Sequence, residues 1–344
     1  MKALQVMRNG PPSEVLQWVD VEAPEAGPGQ VRIRVSAGSL NWNDLHRCYG
    51  RLTSIPMPPP FVLGMDVCGV VESAGEGAEE WLGRRVVAIA QMAKGGLAQL
   101  ALAPLDSVFE APPELDDAEA TAFVIPYHTV HLALFERGGL TQGESLLVHA
   151  GASGLGTAAI QLGVAAGARV FATAGGPEKA KLCAKLGAEL VIDHFEDDFA
   201  IAVLDHTKDI GADVICDLVG GSFVDGSWKC VARGGRYLVV GFADDPKSGM
   251  SGRALRPICN GNFSVVGVIG AYMSDVPSPI RRMGLNPFGH DTAERVHAHL
   301  LELIASGDIH PVVGRRITPL EAGAALEDHE NRRTQGRTVV LINS

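Results

Sequence analysis

Hydrophobic and polar residues alternate along the first third of the chain. Gln30–Ala37 (QVRIRVSA) places an apolar residue at every second position, which is the pattern of a half-buried β-strand. Cys68–Ser73 and Arg84–Ala90 are two further short strands bounded by glycine. Ile55–Phe61 (IPMPPPF) is a loop, because its prolines lack the N–H donor and fix φ. The pattern therefore predicts a β-rich region up to about residue 125.

A different pattern follows, in which short apolar strands alternate with helical segments. Strands that alternate with helices predict a parallel sheet with helices on both faces. The predicted strands are Leu146–His149, Ala168–Ala174, Glu189–Asp193, Ala212–Gly220, Arg236–Ala243 and Phe263–Gly270, and the predicted helices are Gly154–Ala166 and Pro177–Gly187.

The pattern changes again after Ala271. Asp291–Gly307 predicts an amphipathic helix, with Asp291 and Glu294 at the spacing of a capping box. His297 and His299 lie off its apolar stripe, so we expect both to face solvent. Thr338–Ile342 predicts a final strand.

Length and charge narrow the class of protein. The 344 residues are enough for two domains, with 46% hydrophobic and 20% charged residues. A net charge of −11 disfavours nucleic-acid binding, which needs a basic face, but it allows a local basic pocket for one phosphorylated ligand. The six cysteines include no CxxC pair, which predicts free thiols. No segment resembles a signal peptide or the ~18-residue apolar run of a membrane span, so we expect a cytoplasmic protein.

The candidate chemistry begins at Leu146–Gly163 (LLVHAGASGLGTAAIQLG). A strand that ends in a glycine-rich turn and continues as a helix is typical of dinucleotide binding. Small residues let the backbone approach a pyrophosphate, and the helix N-terminus directs N–H groups at it. The sequence Gly151-Ala-Ser-Gly154-Leu-Gly156 is not a strict GxGxxG motif. The alternative to dinucleotide binding is therefore a turn that only packs a helix against a sheet.

The end of the next strand bears on which nucleotide is bound. NAD-binding units carry an acid there for the ribose 2′-hydroxyl. Here Ala172–Gly176 (ATAGG) has none, the first acid being Glu178, and Lys179 follows it. The absence of a carboxylate and the presence of a cation favour NADPH over NADH, unless Lys179 is an ordinary surface lysine.

Several segments together resemble the zinc-free quinone oxidoreductase branch of the medium-chain dehydrogenase/reductase superfamily, over essentially the whole chain. The resemblance implies an α/β protein with two domains: a GroES-like β domain made of residues 1–125 and completed by 271–344, and a doubly wound, parallel-sheet Rossmann domain of residues 126–270 that binds NADPH. It also implies a homodimer that pairs the edge strand Phe263–Gly270. The segments that carry it are Ser39–Leu45, Pro59–Gly77, Ile125–Leu134, Val148–Leu162, Cys216–Gly221, Gly234–Ala243 and Ser264–Tyr272.

The same resemblance implies the cofactor-binding residues. Asn41 and Thr129 are expected beside the nicotinamide, and His194 stands where relatives often place a tyrosine near the adenosine. The pyrophosphate is expected on Gly151, Ser153, Gly154, Leu155 and Gly156; the 2′-phosphate on Gly175, Lys179 and Arg332; the nicotinamide also on Gly241, Phe242, Ala243, Val268, Ile269 and Gly270; and a further cofactor contact on Val219.

The resemblance also bears on metal. Zinc-dependent members of the superfamily hold catalytic zinc at positions that correspond here to Asn41, to Met65 with Asp66, and to about Ile125, and methionine and isoleucine cannot replace a thiolate or an imidazole. The cysteines of the structural zinc lobe are absent from Ile89–Pro104. We therefore expect a metal-free protein, whose acceptor must take hydride without a Lewis acid.

Three functions remain open at this point. The first is an NADPH-dependent quinone reductase, in which Asn41 donates a hydrogen bond to the substrate carbonyl and Tyr127 or Tyr49 supplies a proton, unless these tyrosines only pack. The second is a reductase of enones or enoyl thioesters, including acyl-CoA. The third is a non-enzymatic, lens-type or RNA-binding protein. An acyl-CoA site needs a basic patch, for which the candidates are Arg47, Arg51, Arg281 and Arg282.

Overall fold

The computed structural model describes residues 1–51, 57–245 and 252–342. Ile55 and Pro56 of the predicted proline-rich loop lie outside the described residues. The chain divides into two compact units, one of Met1–Ile125, Ala271–Leu301 and Pro311–Ser344, the other of Pro126–Gly270 and Glu302–His310. Residues 302–310 therefore group with the second unit, whereas the sequence assigned them to the first.

Short strands make up most of the first unit and the sheet of the second. The strands are β1 (Lys2–Val6), β2 (Leu16–Asp20), β3 (Gln30–Ser39), β4 (Phe61–Val62), β5 (Asp66–Ala74), β6 (Arg85–Ile89), β7 (Leu100–Pro104), β8 (Val108–Glu110), β9 (Ser145–Val148), β10 (Arg169–Ala174), β11 (Leu190–Asp193), β12 (Ala212–Asp217), β13 (Val231–Val239), β14 (Ser264–Gly267), β15 (Val313–Ile317) and β16 (Arg337–Leu341).

The helices alternate with strands mainly in the second unit. They are α1 (Pro12–Val15), α2 (Trp42–Cys48), α3 (Asp117–His131, continued by a π-helical turn Leu132–Arg137), α4 (Gly154–Ala165), α5 (Pro177–Lys185), α6 (Phe199–His206), α7 (Phe223–Cys230), α8 (Arg256–Gly261), α9 (Ser278–Arg282), α10 (His290–Ala305) and α11 (Ala322–Glu330), with 3₁₀ turns at Glu79–Trp81, Gln91–Ala93, Leu105–Ser107 and Pro319–Glu321. Within the described ranges, none of the helices has the length and apolar character needed to cross a membrane.

The first unit is built on a largely antiparallel sheet with strand order β15-β16-β3-β5-β6-β8, to which β7 adds by pairing with β3. The predicted alternation in β3 is confirmed, since Val31, Ile33 and Val35 are fully buried. A smaller sheet, β2-β1-β4, carries the N-terminus. The C-terminal strand β16 pairs with β3, which brings Arg337 close to the end of β3.

The second unit contains a sheet of parallel strands in the order β11-β10-β9-β12-β13-β14. The middle of each central strand is apolar and buried, and Leu147, Phe171 and Ile215 are fully buried, as expected for a sheet covered by helices on both faces. All strands point the same way, so their carboxyl ends meet at one edge, where a reversal of strand order creates a ligand site in such folds. The predicted doubly wound parallel sheet is confirmed.

Helix α10 corrects two expectations. It begins at His290, so Asp291 lies inside the first turn and is not the N-cap residue. His297 is buried and not solvated: its ring stacks on Phe109 with centroids 4.8 Å apart, and Nε2 donates to the carbonyl oxygen of Glu110 at 3.0 Å. Burial lowers the pKa of His297 to about 4. His299 is exposed, as predicted.

Candidate active site

The glycine turn follows β9 at the carboxyl edge of the parallel sheet. Ala150 adopts a left-handed φ of 52°, which costs a residue with a β-carbon roughly 1–2 kcal/mol and which persists only where the surroundings enforce it. Gly151 is packed from the other side, since a β-carbon there would lie 2.9 Å from both Ala172 Cβ and Cys183 Sγ. The turn therefore needs a residue without a side chain at position 151.

Ser153 ends the turn and begins helix α4. Its hydroxyl oxygen accepts a hydrogen bond from the backbone N–H of Gly156 at 3.0 Å, which is N-cap geometry. A β-carbon on Gly156 would lie 2.1 Å from the carbonyl oxygen of Ala150, so only glycine allows the helix to start this close to the turn. Gly156 is therefore required by contacts with backbone atoms, and Gly151 by contacts with side chains.

The first turn of α4 suits an anion. The N–H groups of Gly154 and Leu155 have no acceptor within the helix, and the helix dipole places partial positive charge there. The first turn contains no acidic residue. These backbone donors, and the space kept free by glycine, fit a pyrophosphate group.

The neighbouring corner of the sheet, after β10, is lined by aromatic rings. A β-carbon on Gly175 would lie 2.8 Å from Phe195 Cε2 and 3.1 Å from His194 Cε1. The ring of His194 lies 4.6 Å from that of Phe195 and 5.3 Å, edge to face, from that of Phe223. Phe195 is 68% exposed, an unusual position for a phenylalanine. The structure thus places Gly175 and His194 together and adds Phe195, which the sequence reasoning missed.

This corner also contains a carboxylate that sequence reasoning missed. Asp193, at the end of β11, accepts hydrogen bonds from the N–H of Gly176 at 3.1 Å and of Phe195 at 3.1 Å, and these bonds lower its pKa. Glu178 pairs with Lys181 at 2.7 Å, while Lys179 is half-buried. The end of β10 itself has no acid before Glu178, as the sequence reads, but Asp193 brings one to this corner. The acid comes from the adjacent strand, and the register that pairs Ala174 with Asp193 is what brings it there.

A third corner, after β12, β13 and β14, brings together the residues expected near the nicotinamide. A β-carbon on Gly270 would lie 2.0 Å from Thr129 Oγ1, so these two residues touch. A β-carbon on Gly241 would lie 2.2 Å from the carbonyl oxygen of Leu218, the residue before Val219. The same edge of the sheet carries Phe242, which is exposed, Ala243, which is half-buried, Val268, whose N–H donates to Val239, and Ile269, which is exposed.

Tyr127 does not have the geometry of a proton donor. Its side chain is 1% exposed, its hydroxyl donates to the carbonyl oxygen of His310 at 3.0 Å, and it accepts from Gln161 Nε2 at 3.0 Å. Burial raises its pKa well above the usual value. The hydroxyl proton is therefore used in a hydrogen bond to a backbone carbonyl. The structure favours the interpretation that Tyr127 packs in the interior and does not supply a proton.

In the first unit, Asn41 is the centre of a buried polar network. Its amide nitrogen donates to the Ser39 carbonyl at 3.2 Å and to Asp66 Oδ1 at 2.8 Å, while its amide oxygen accepts from Arg337 at 3.0 Å. Asn41 also forms a capping box with Asp44 at the start of α2. Both amide hydrogens are thus used inside the protein, and a bond to a substrate would replace one of them.

Arg337 completes this network and was not singled out in the sequence. It forms an ion pair with the fully buried Asp66 at 2.9 Å and also donates to Ser39 Oγ. Burial raises the pKa of Asp66, and the charge of Arg337 and the hydrogen bonds from Ser39 and Asn41 oppose that rise. A buried carboxylate in an apolar strand is the signal that predicts such a partner.

The side chains at the superfamily's metal positions do not fit zinc. Asn41 and Asp66 are committed to Arg337, and Met65 and Ile125 offer a thioether and a methyl group. In the part of the chain that the structure describes, no three His, Cys, Asp or Glu side chains lie close enough together to hold a metal ion.

The remaining candidate cations differ in their surroundings. Arg47 is buried, pairs with Asp44 at 3.7 Å and donates to the Ala93 carbonyl, so it cannot belong to a basic surface patch for an acyl-CoA. Arg51 lies 3.8 Å over the ring of Tyr49, whose hydroxyl donates to Glu330 at 2.8 Å. Arg332, in the first unit, is exposed, with a left-handed φ of 56°.

The chain is similar to known proteins along its whole length. It matches the alcohol dehydrogenase GroES-like domain family over residues 27–113 and the zinc-binding dehydrogenase family over residues 154–283. A quinone oxidoreductase of Pseudomonas aeruginosa is 31% identical over 342 residues, 99% of each chain. The quinone oxidoreductase of Rattus norvegicus is 33% identical over 245 residues, 70% of this chain and 73% of that protein. The quinone oxidoreductase of Thermus thermophilus, solved also in complex with NADPH, superposes with a TM-score of 0.79 at 32% identity, covering 99% of this chain and 100% of that one.

Proposed function

Because this chain belongs to the quinone oxidoreductase branch of the medium-chain dehydrogenase/reductase superfamily, we propose that it is an NADPH-dependent, zinc-independent oxidoreductase that transfers hydride to a quinone. One observation supports a quinone as the acceptor: the polar side chains at the superfamily's metal positions are bonded to one another. Asp66 and Arg337 neutralise each other there, and Asn41 forms a hydrogen bond with each of them, which leaves no place for a Lewis acid.

The second unit holds the cofactor. The N–H groups of Gly154 and Leu155 bind the pyrophosphate, and Gly151 and Gly156 keep the space for it. The corner after β10 receives the phosphorylated ribose, with Lys179 as its cation.

The corner formed by Thr129 and Gly270 receives the nicotinamide, together with Gly241–Ala243. NADPH supplies the hydride when bound. These residues orient its ring and exclude water from one face, because their backbone groups approach closely. No general acid among the described residues is needed for the hydride step itself, since a quinone delocalises the charge it receives.

The runner-up acceptors are enones and enoyl thioesters, which also accept hydride if donors hold the enolate oxygen. The burial of Arg47 removes one of the four arginines that a coenzyme A site would use. This observation favours a quinone over an acyl-CoA.

The test is a panel of NADPH oxidations with 1,4-benzoquinone, 9,10-phenanthrenequinone, a linear enone and crotonyl-CoA. We expect the quinones to be reduced fastest, and we expect dialysis against EDTA to leave the rate unchanged. Activity with crotonyl-CoA alone would assign the enzyme to enoyl thioesters, and NADPH binding without any oxidation would indicate a non-enzymatic role. A rate that falls with EDTA and returns with Zn²⁺ would contradict zinc independence.

The protein is proposed to form a homodimer through β14. This strand is at the edge of the parallel sheet among the described residues, and its Val265 and Val266 are only half-buried. An edge strand with apolar side chains is a template for pairing with a second copy. Sedimentation at micromolar concentration measures the mass, and a monomer would contradict the proposal.

A further inference from the structure

The residue between β9 and the glycine turn is a histidine that lies fully inside the second unit. His149 is 0% exposed, and the rings of Phe199 and Phe223 pack edge to face against its imidazole, with centroids 4.8 Å and 4.9 Å away. A buried polar atom without a partner is destabilising, so both ring nitrogens need hydrogen bonds. Their partners show what this histidine does for the turn.

Each ring nitrogen of His149 meets a buried hydroxyl group. Nδ1 lies 3.2 Å from Thr173 Oγ1 on β10, and Nε2 lies 2.8 Å from Ser227 Oγ on α7. Burial lowers the pKa of His149 to about 4, and Asp217 opposes this. The imidazole is therefore neutral at pH 7, with a hydrogen on one nitrogen and a lone pair on the other.

The surrounding bonds determine which nitrogen carries the hydrogen. The Ser227 hydroxyl donates to the carbonyl oxygen of Phe223 at 2.8 Å, so its oxygen accepts from Nε2–H. Nδ1 is then the acceptor, and the Thr173 hydroxyl donates to it. In the opposite tautomer the hydrogen of the Thr173 hydroxyl would have no acceptor among the described residues. His149 thus fixes the direction of the Thr173 hydroxyl.

Thr173 in turn holds the backbone of the turn on both sides of Ala150. Its hydroxyl oxygen accepts from the N–H of Ala150 at 3.2 Å, and its carbonyl oxygen accepts from the N–H of Gly151 at 2.8 Å. These N–H groups belong to the two peptide planes that flank the α-carbon of Ala150. Because one residue fixes both planes, it enforces the left-handed φ of 52° at Ala150.

The conformation of Ala150 determines where helix α4 begins. Its carbonyl oxygen accepts a hydrogen bond from the N–H of Ser153, the N-cap residue, at 2.9 Å. The same oxygen is the atom that a β-carbon on Gly156 would approach to 2.1 Å. A rotation at Ala150 would move this oxygen, and the first-turn N–H groups that suit an anion would move with it.

We propose that His149 and Thr173 are positioning residues for NADPH: the imidazole orients the Thr173 hydroxyl, and that hydroxyl holds Ala150 so that the N–H groups of Gly154 and Leu155 face the pyrophosphate. This assignment rests on the proposed function. Both side chains act through the turn, and neither has to contact the cofactor.

The first test compares two substitutions of Thr173. Thr173→Val replaces the hydroxyl by a methyl group of similar size, whereas Thr173→Ser keeps the hydroxyl. We expect the NADPH dissociation constant to rise about tenfold for the valine variant and less than about twofold for the serine variant. The KM for NADPH should rise in parallel, while kcat with 1,4-benzoquinone at saturating NADPH stays unchanged, because the turn holds the pyrophosphate and not the ring that gives the hydride.

The second test separates the two bonds of His149. His149→Asn places an amide oxygen near Nδ1 and keeps an acceptor for Thr173, whereas His149→Gln places an amide nitrogen near Nε2 and keeps only a donor to Ser227. Both remove the imidazole, so both should lower the midpoint of thermal unfolding. The NADPH dissociation constant should rise about tenfold for the glutamine variant and less than about threefold for the asparagine variant. This comparison decides the question even if Thr173→Val does not fold.

Thr207→Val is the matched control in the same unit. The Thr207 hydroxyl is also buried, accepts from the N–H of Gly211 at 2.9 Å and donates to the carbonyl oxygen of Val203 at 2.7 Å. It precedes β12 and so lies at the opposite edge of the sheet from the glycine turn. This variant should lose stability as Thr173→Val does, and it should bind NADPH like wild type.

Three outcomes would overturn the proposal. The first is a Thr173→Val protein with wild-type affinity for NADPH. The second is a Thr207→Val protein whose binding is weakened equally, because the loss would then follow general destabilisation. The third is equal affinity of the two His149 variants, which would leave the histidine a purely structural residue. Wild-type protein that binds no NADPH refutes the proposed function instead, so the two failures are distinguishable.

Discussion

Replacing Gly156 with alanine tests directly whether the turn between β9 and α4 holds the cofactor. The added β-carbon would lie 2.1 Å from the Ala150 carbonyl oxygen and 2.8 Å from the carbonyl carbon of Gly151. Both are backbone atoms, so rotation of a side chain cannot relieve the contact. Since carbon and oxygen come into contact at about 3.3 Å, the turn and the helix must separate by roughly 1 Å.

The size of that displacement determines how far the free energy of unfolding and the NADPH dissociation constant should change. Overpacking of this kind costs about 1–3 kcal/mol, and the better helix propensity of alanine returns at most about 1 kcal/mol. We therefore expect the free energy of unfolding to fall by about 1–2 kcal/mol. The first-turn N–H groups move by a similar distance relative to the rest of the site, and the NADPH dissociation constant should rise at least about tenfold.

Urea unfolding gives the stability, and titration of NADPH fluorescence gives the dissociation constant. Gly163→Ala is the matched control on the same helix. Its β-carbon would meet Leu146 Cδ2 at 2.7 Å and Val170 Cγ2 at 2.9 Å, which are side-chain atoms able to move, and it is two turns from the glycine turn. It should leave NADPH binding unchanged. A Gly156→Ala protein that is destabilised but binds NADPH normally would refute the assignment of the turn to the pyrophosphate.

Three further outcomes are expected. Lys179→Ala should raise the dissociation constant of NADPH about tenfold and that of NADH little; equal losses would mean that this lysine does not contact the 2′-phosphate. Asp193→Asn keeps a hydrogen-bond acceptor for Gly176 but removes a negative charge, so the affinity for NADPH should increase about threefold relative to the affinity for NADH. Titrations with both cofactors measure this ratio of dissociation constants, and an unchanged ratio would contradict a role for Asp193. His297 is half protonated at pH 6.5 when unfolded but only near pH 4 when folded, so protonation favours unfolding and stability falls as pH drops through that window. Urea unfolding at pH 7 and pH 5 should show a weaker pH dependence for His297→Phe than for wild type, and identical slopes would disprove this.

The parallel sheet could be predicted from the sequence because each of its strands has a recognisable residue pattern within its own segment. Strands covered on both faces contain short apolar runs, and the small residues after β9 mark the glycine turn without reference to any other segment. The alternation in β3 was equally local. Periodicity of this kind depends on neighbouring residues in the chain, so it can be detected without knowing the fold.

Contacts between distant segments could not be predicted in this way. Asp193 reaches the corner after β10 through the register of two strands, and Phe109 covers His297 from a remote part of the chain. Arg337 meets Asp66 only because β16 returns to pair with β3. Each of these depends on tertiary pairing, for which one sequence contains no local signal.

The buried network of the first unit opposes the binding of a metal ion at Asp66. Asp66 and Arg337 form one ion pair, and Asp44 and Arg47 form another, so the four charges cancel within the interior. Breaking either pair would leave an uncompensated buried charge, which costs about 3–5 kcal/mol. A divalent cation would therefore have to displace Arg337 before it could bind Asp66.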